Sequence, residues 1–179
     1  MTMWQGELIQ KYPALFVRPF RGVAFAPGYP RCAPGWQHVV TRLVERVAAA
    51  ANDGSVYFTQ MVCENGVLRA HWSSRSEIPQ RLALKIEEAI GLAEARSASA
   101  CIDCGSEGRL FATDFVLAPL CKCHLRGIPV PIVAGRDVFL RRGIVRERPV
   151  LIRSRYDWES DTFHDLPPSA DPKAKAPHG

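Results

Sequence analysis

Four cysteines and one histidine crowd into a short stretch of this 179-residue chain: Cys101-Ile102-Asp103-Cys104-Gly105, then sixteen residues later Cys121-Lys122-Cys123-His124. Thiolate and imidazole are the donors a tetrahedral zinc ion takes, and a two-residue gap lets each pair fold back as a knuckle. Gly105 supplies the permissive backbone that such a turn needs. Cys121 and His124 repeat the gap of Cys101 and Cys104, so the expected ligands are Cys101, Cys104, Cys121 and His124, with Cys123 as the alternative fourth donor. Three sulfurs and one nitrogen would leave no position open for water, which describes a structural Zn2+ rather than a catalytic one.

Other reactive side chains give less. There is no Gly-rich phosphate loop, nucleophile elbow or metalloprotease helix, and Glu87-Glu88 falls on the polar side of a helical pattern. An enzyme reading would rest on His71, which shares a strand face with Arg69; two solvated side chains are the plainer account of that pair. A third feature is charge. Residues 122–155 hold nine basic side chains, eight of them Arg, against Asp137 and Glu147, so the chain's formal charge of +5 is concentrated there. Guanidinium groups suit phosphate forks. Arg141, Arg142, Arg146, Arg148, Arg153 and Arg155 are therefore the candidate nucleic-acid contacts, the alternative being a solvated face neutralised by the acidic tail.

The elements that must position these residues can be read from periodicity. Trp36, Val39, Val40, Leu43, Val44 and Val47 trace one face of a helix that Pro34-Gly35 opens and Asn52-Asp53-Gly54 closes. Asn65-Gly66 lies between two runs of strand formers and predicts a two-residue hairpin turn. Counting outward pairs Glu64 with Val67, Cys63 with Leu68, Met61 with Ala70 and Thr59 with Trp72. Tyr57, Met61, Cys63, Leu68 and Trp72 would then face the core. A second helix is expected from about Glu77 to Ser97, with Ser76 as its cap, Pro79 in its first turn and a stripe of Ile78, Leu82, Ile86, Ala89, Ile90 and Ala93. It runs directly into Cys101.

The flanks are less regular. Residues 7–16 suggest a helical turn or two, and residues 17–35 read as a Pro- and Gly-rich loop whose Phe20, Phe25 and Tyr29 either anchor it to the core or form a binding surface. Val130-Pro131-Ile132-Val133, Val138-Phe139-Leu140 and Val150-Leu151-Ile152 read as short strands broken by Gly143 and Pro149. The fold class is α+β: a helix, hairpin and helix core (1–98), a zinc-knuckle module (99–127), a basic β extension (128–158) and a disordered acidic, Pro-bearing tail (159–179).

The order Tyr12-Pro13-Ala14-Leu15-Phe16, Gly35-Trp36, Gly66-Val67-Leu68-Arg69, Glu94-Ala95-Arg96-Ser97 and then the two knuckles resembles a family of small bacterial and phage proteins. The resemblance spans roughly residues 8–126 and implies a C-terminal zinc-ribbon-like module, with no established activity attached. The family's first hairpin strand carries Lys-Glu-Lys where this chain has Met61-Val62-Cys63-Glu64. Composition, 47% hydrophobic and 23% charged, is that of a folded globular chain. No apolar run has the length of a membrane span, and the expected setting is a reducing, cytoplasmic one. The functional expectation is a non-catalytic, zinc-stabilised protein that binds nucleic acid; the alternative is a protein-interaction module docking through the aromatic loop and the hairpin.

Overall fold

The structure is a computed structural model that describes residues 3–51, 54–132, 137–145 and 148–167. The chain begins with α1 (Met3–Lys11) and the single turn α2 (Pro13–Phe16), then β1 (Arg18–Phe20), β2 (Val23–Phe25) and β3 (Pro30–Arg31). A 3-10 turn over Pro34–Trp36 leads into α3 (Gln37–Ala50). The hairpin β4 (Val56–Glu64) and β5 (Val67–Ser74) follows, then α4 (Gln80–Ser97). Beyond it lie β6 (Arg109–Ala112), β7 (Leu117–Leu120) and β8 (Ile128–Pro129), and last β9 (Val138–Val145), β10 (Arg148–Asp157) and β11 (Thr162–Asp165). The class is α+β, with four small sheets, of which β3–β5 and β9–β11 pack on α4 while α3 packs on α4.

The apolar face read for α3 is its buried face: Val39, Val40, Leu43, Val44 and Val47 are sequestered, with Trp36 beneath them at zero exposure. Side chains spaced at helical period converge on one stripe, and burying each contributes roughly 1.5–3 kcal/mol. Its expected stop at Asn52-Asp53 lies outside the described residues. The second helix starts three residues later than expected. Pro79 is extended (φ −58°, ψ 138°) and occupies the cap position in place of Ser76; proline's fixed φ is compatible with this non-helical backbone. Ile86, Ala89 and Ala93 are buried as expected, while Ile78, Leu82 and Ile90 pack half-buried at the margin.

Asn65 (φ 51°) and Gly66 (φ 76°) form the left-handed turn of the β4–β5 hairpin, and Glu64–Val67, Cys63–Leu68 and Met61–Ala70 pair as counted. Past Gln60 the register changes. Thr59 is bulged out, so Phe58 rather than Thr59 lies opposite Trp72. One extra residue turns every side chain before it to the other face. Val56 and Phe58 thereby enter the core at zero exposure while Tyr57 is half-buried; Cys63, beyond the bulge and in the expected register, is nevertheless exposed near the hairpin turn.

Three further expectations change. The aromatic loop contains a small β1–β2 hairpin whose Phe20 and Phe25 are exposed rather than anchored; only Tyr29 is half-buried. Gly143 and Pro149 do not break strands: they lie within β9 and β10, facing Val150 and Ile144. Pro149 is tolerated because β11 pairs only with Ser154–Asp157, so β10 has a neighbour on one side there. Thr162–Asp165, assigned to the tail, is the paired strand β11. Val133 and residues 168–179 lie outside the described residues.

Candidate metal centre

Cys101, Cys104, Cys121 and His124 bring their donor atoms within 4.8 Å of one another. Cys121 Sγ lies 3.2 Å and Cys101 Sγ 3.5 Å from His124 Nδ1, and Cys104 Sγ is 3.6 Å from Cys121 Sγ. Donors about 2.0–2.3 Å from a tetrahedral ion lie roughly 3.3–3.8 Å apart, so these three separations are close to tetrahedral edge lengths. The quartet could hold a metal ion. Cys123, the other candidate for the fourth ligand, is exposed and outside it.

Local backbone chemistry builds each knuckle. In the first, Gly105 N donates to Cys101 O (2.8 Å) and Cys101 N to Ser106 O (2.8 Å), closing a loop that Gly105 completes at φ +77°. In the second, a 3-10 turn over Lys122–His124 lets His124 N donate to Cys121 O (3.1 Å). The antiparallel pair β6–β7 carries one knuckle to the other, and β8 pairs with β6 behind them. Phe111, Ala118 and Leu120 bury against Cys101 and Cys121 as a cluster separate from the main core. The hairpin tip lies in solvent, with Phe115 and Val116 exposed.

Electrostatics suits cation binding. The Ser106 hydroxyl and amide stabilise the Cys104 thiolate and bring its pKa down to about 6, whereas burial raises that of Cys121. Nearby, Arg126 grips Asp103 through two hydrogen bonds (2.5 and 3.2 Å), tying the segment after the second knuckle to the first.

Sequence reasoning treated Gly35 only as a helix opener. In the structure Gly35 N donates to Ile102 O (2.8 Å) and Trp36 Nε1 to Ala100 O (2.8 Å), so the start of α3 is bonded to the first knuckle. A β-carbon on Gly35 would lie 2.7 Å from Cys104 N, and one on Gly105 would lie 2.5 Å from Gly35 O. Two close glycine approaches are the available signal, and they are legible only once both segments are in place.

The arginines of the basic segment have mixed fates. Arg141 donates to Ser154 Oγ (2.9 Å) and pairs with Asp165 (2.5 Å); Arg142 pairs with Glu87 (3.4 Å) and Arg155 with Asp137 (2.6 Å). Arg148 and Arg153 are exposed and have no ion pair among the described residues. Arg146 lies outside the described residues. His71 is exposed on β5, at the rim of a cleft of about 470 Å³ between β5, α4 and β9. No helix among the described residues is long and apolar enough to cross a membrane. No family model, curated protein or solved structure matches the chain.

Proposed function

We propose that this chain is a non-catalytic binding protein of bacterial or phage type, held in shape by one structural zinc ion and acting on nucleic acid in a reducing compartment. The carrying observation is the closed quartet of three sulfurs and one imidazole nitrogen, because soft donors at tetrahedral spacing select zinc and leave no site for substrate. Arg148 and Arg153, exposed on the outer sheet and without an ion pair among the described residues, support the nucleic-acid part of the reading. Elemental analysis of the purified protein should return about one zinc per chain, and oligonucleotide binding should weaken steeply with salt. A folded, metal-free protein overturns the structural role of zinc. Zinc without oligonucleotide affinity leaves the second reading, a protein-interaction module, which the exposed Phe20, Val23 and Phe25 favour.

A further inference from the structure

The β1–β2 hairpin is an arm. Phe20 pairs with Val23 across a two-residue turn in which Arg21 (φ 50°) and Gly22 (φ 80°) are both left-handed. Arg18 pairs with Phe25, so Arg18, Phe20, Val23 and Phe25 share one face of the ribbon. Toward the tip that face is open: Phe20 is 60%, Val23 67% and Phe25 44% exposed, and the two rings meet edge to face at 5.8 Å. At the base the Arg18 guanidinium stacks on Tyr57, 3.4 Å from the ring centroid, with Nε and Nη2 buried and without a hydrogen-bond partner. Burial and the neighbouring Arg75 both disfavour its charge. Among the described residues no carboxylate pairs with Arg18, Arg21, Arg31 or Arg75, and the sequence has no Asp or Glu between Glu7 and Glu45. A buried guanidinium N–H without an acceptor is costly. Among the described residues nothing accepts from Nε or Nη2, and because both are closed to solvent a ligand from outside meets Arg18 through the rest of its guanidinium.

We propose that this arm is the surface that takes single-stranded nucleic acid, a backbone phosphate seating on Arg18 beside Arg75 while Phe20 and Phe25 stack on unpaired bases. The proposal rests on the nucleic-acid reading above and moves its main contact from the C-terminal arginines, three of which already hold carboxylates, to the arm. Phosphate matches the guanidinium fork, and aromatic faces are the sequence-tolerant platform for unstacked bases. An acidic peptide fits less well. Each strand of the arm is only three residues long, too short to template an added strand, and a two-stranded ribbon is flat where a peptide gains from side-chain pockets.

The test is fluorescence anisotropy of labelled twenty-nucleotide oligothymidylate and oligouridylate with the 179-residue chain, alongside thermal melts. Phe20→Ala with Phe25→Ala should weaken binding by on the order of ten-fold or more per ring without lowering the melting temperature. Arg18→Met keeps the aliphatic contact with Tyr57 but removes the unpaired charge. It should weaken binding several-fold and reduce the slope of log affinity against log salt by about 0.7, while raising the melting temperature. A purely structural Arg18 would move stability and binding together. Unchanged affinity in both arm variants, with loss in Arg148→Gln, Arg153→Gln, overturns the arm and leaves the nucleic-acid reading standing on the outer sheet. Absence of wild-type binding at low salt overturns both. Capture of a glutamate-rich peptide through Phe20 and Phe25, in place of the oligonucleotides, overturns the proposal in favour of a protein partner.

Discussion

Two small sheets are fastened to the same pair of helices by different chemistry. The β6–β8 sheet has a miniature core, Phe111, Ala118 and Leu120 against two cysteines, and at its end converge four donor atoms that could hold a metal ion. The β9–β11 sheet relies on a buried carboxylate. Asp161 in the β10–β11 turn, with its side chain 4% exposed, accepts from Arg46 (2.8 Å) and from the Tyr156 hydroxyl (2.5 Å), and Arg42 stands 3.2 Å away. Arg96 of α4 stacks on Trp158 at 3.5 Å and donates to its carbonyl, while Phe139 and Phe163 pack at 5.5 Å. Each of these small sheets has polar groups at its junction with the helices in addition to its few apolar neighbours. Coordination is directional and reversible by chelation. The buried ion cluster depends on every member being present, since removing one strands the others.

The largest expected effect falls on the first fastening. Cys101→Ser, or a strong chelator, should unfold the β6–β8 sheet and loosen the start of α3, because structural zinc contributes apparent free energies on the order of 10 kcal/mol and Gly35 and Trp36 are bonded to the first knuckle. Loss of far-ultraviolet circular dichroism on chelation, restored by zinc, is the readout; an unchanged spectrum would dissolve the contrast between the two sheets. The second fastening should fail more gently. Asp161→Ala leaves Arg46 without its buried partner and should cost about 3–5 kcal/mol, which lowers the melting temperature by roughly 10 °C. Asp161→Asn combined with Arg46→Met, which keeps at the turn a residue that tolerates φ +53°, should recover much of that loss. If the double replacement is as poor as the single one, the cluster does more than satisfy itself.

A pair of glycines sharpens the distinction between a close-packed junction and an adaptable one. Gly35→Ala places a β-carbon against knuckle backbone that cannot move without shifting the donors, and should cost on the order of 1–3 kcal/mol with weaker zinc retention. Gly91 lies within α4 beneath the β9–β11 sheet, where the nearest atom to a new β-carbon is Phe163 Cε2 at an ordinary 3.5 Å. Gly91→Ala should therefore stabilise by up to about 1 kcal/mol through helix propensity. Thermal melts of the two variants should move in opposite directions.

The contrast also explains what the sequence made legible. The knuckles are local, two donors separated by two residues, and spacing alone locates them. The α3 stripe and the Asn65-Gly66 turn are equally local, each fixed within a few residues by period or by backbone tolerance. Thr59 shows where counting fails: one bulged residue exchanged Tyr57 for Phe58 in the core, and nothing in the composition of that strand marks it. Arg46 and Asp161 are 115 residues apart, so neither announces the other. The basic run could be read either as an electropositive face or as one neutralised by the acidic tail; Asp165 on β11, from that tail region, pairs with Arg141 in line with the second reading, whereas Glu87 on α4, the partner of Arg142, could not be foreseen. Net charge along a chain reports what folding has available to pair, not what it leaves unpaired.

The smallest expected effect separates an exposed ion pair from the buried Asp161 cluster. Hydrogen bonding from the Arg141 guanidinium, aided by Ser154, holds the Asp165 carboxyl below its ordinary value of 3.8. A carboxylate whose folded pKa is depressed contributes stability that is fully present above its unfolded value and is lost as pH falls through the folded one. The contribution should be constant from neutrality to about pH 5 and fade only below about pH 4. Asp165 is half open to solvent, so screening keeps it well under about 1 kcal/mol. Asp103 and Asp157 are depressed in the same sense and ligand protonation releases metal in acid, so the acid limb of the wild type alone says little. The informative quantity is the difference between wild type and Arg141→Gln, taken from carboxyl chemical shifts of Asp165 and from paired melts between pH 7 and 3. An Asp165 carboxyl that titrates at its ordinary value in the variant, with melts that converge toward those of the wild type in acid, assigns the depression to Arg141. Melts offset equally at every pH would instead mean that Arg141 serves the sheet through its packing under Ser154, making this junction more like the buried clasp at Asp161 than its exposure suggests.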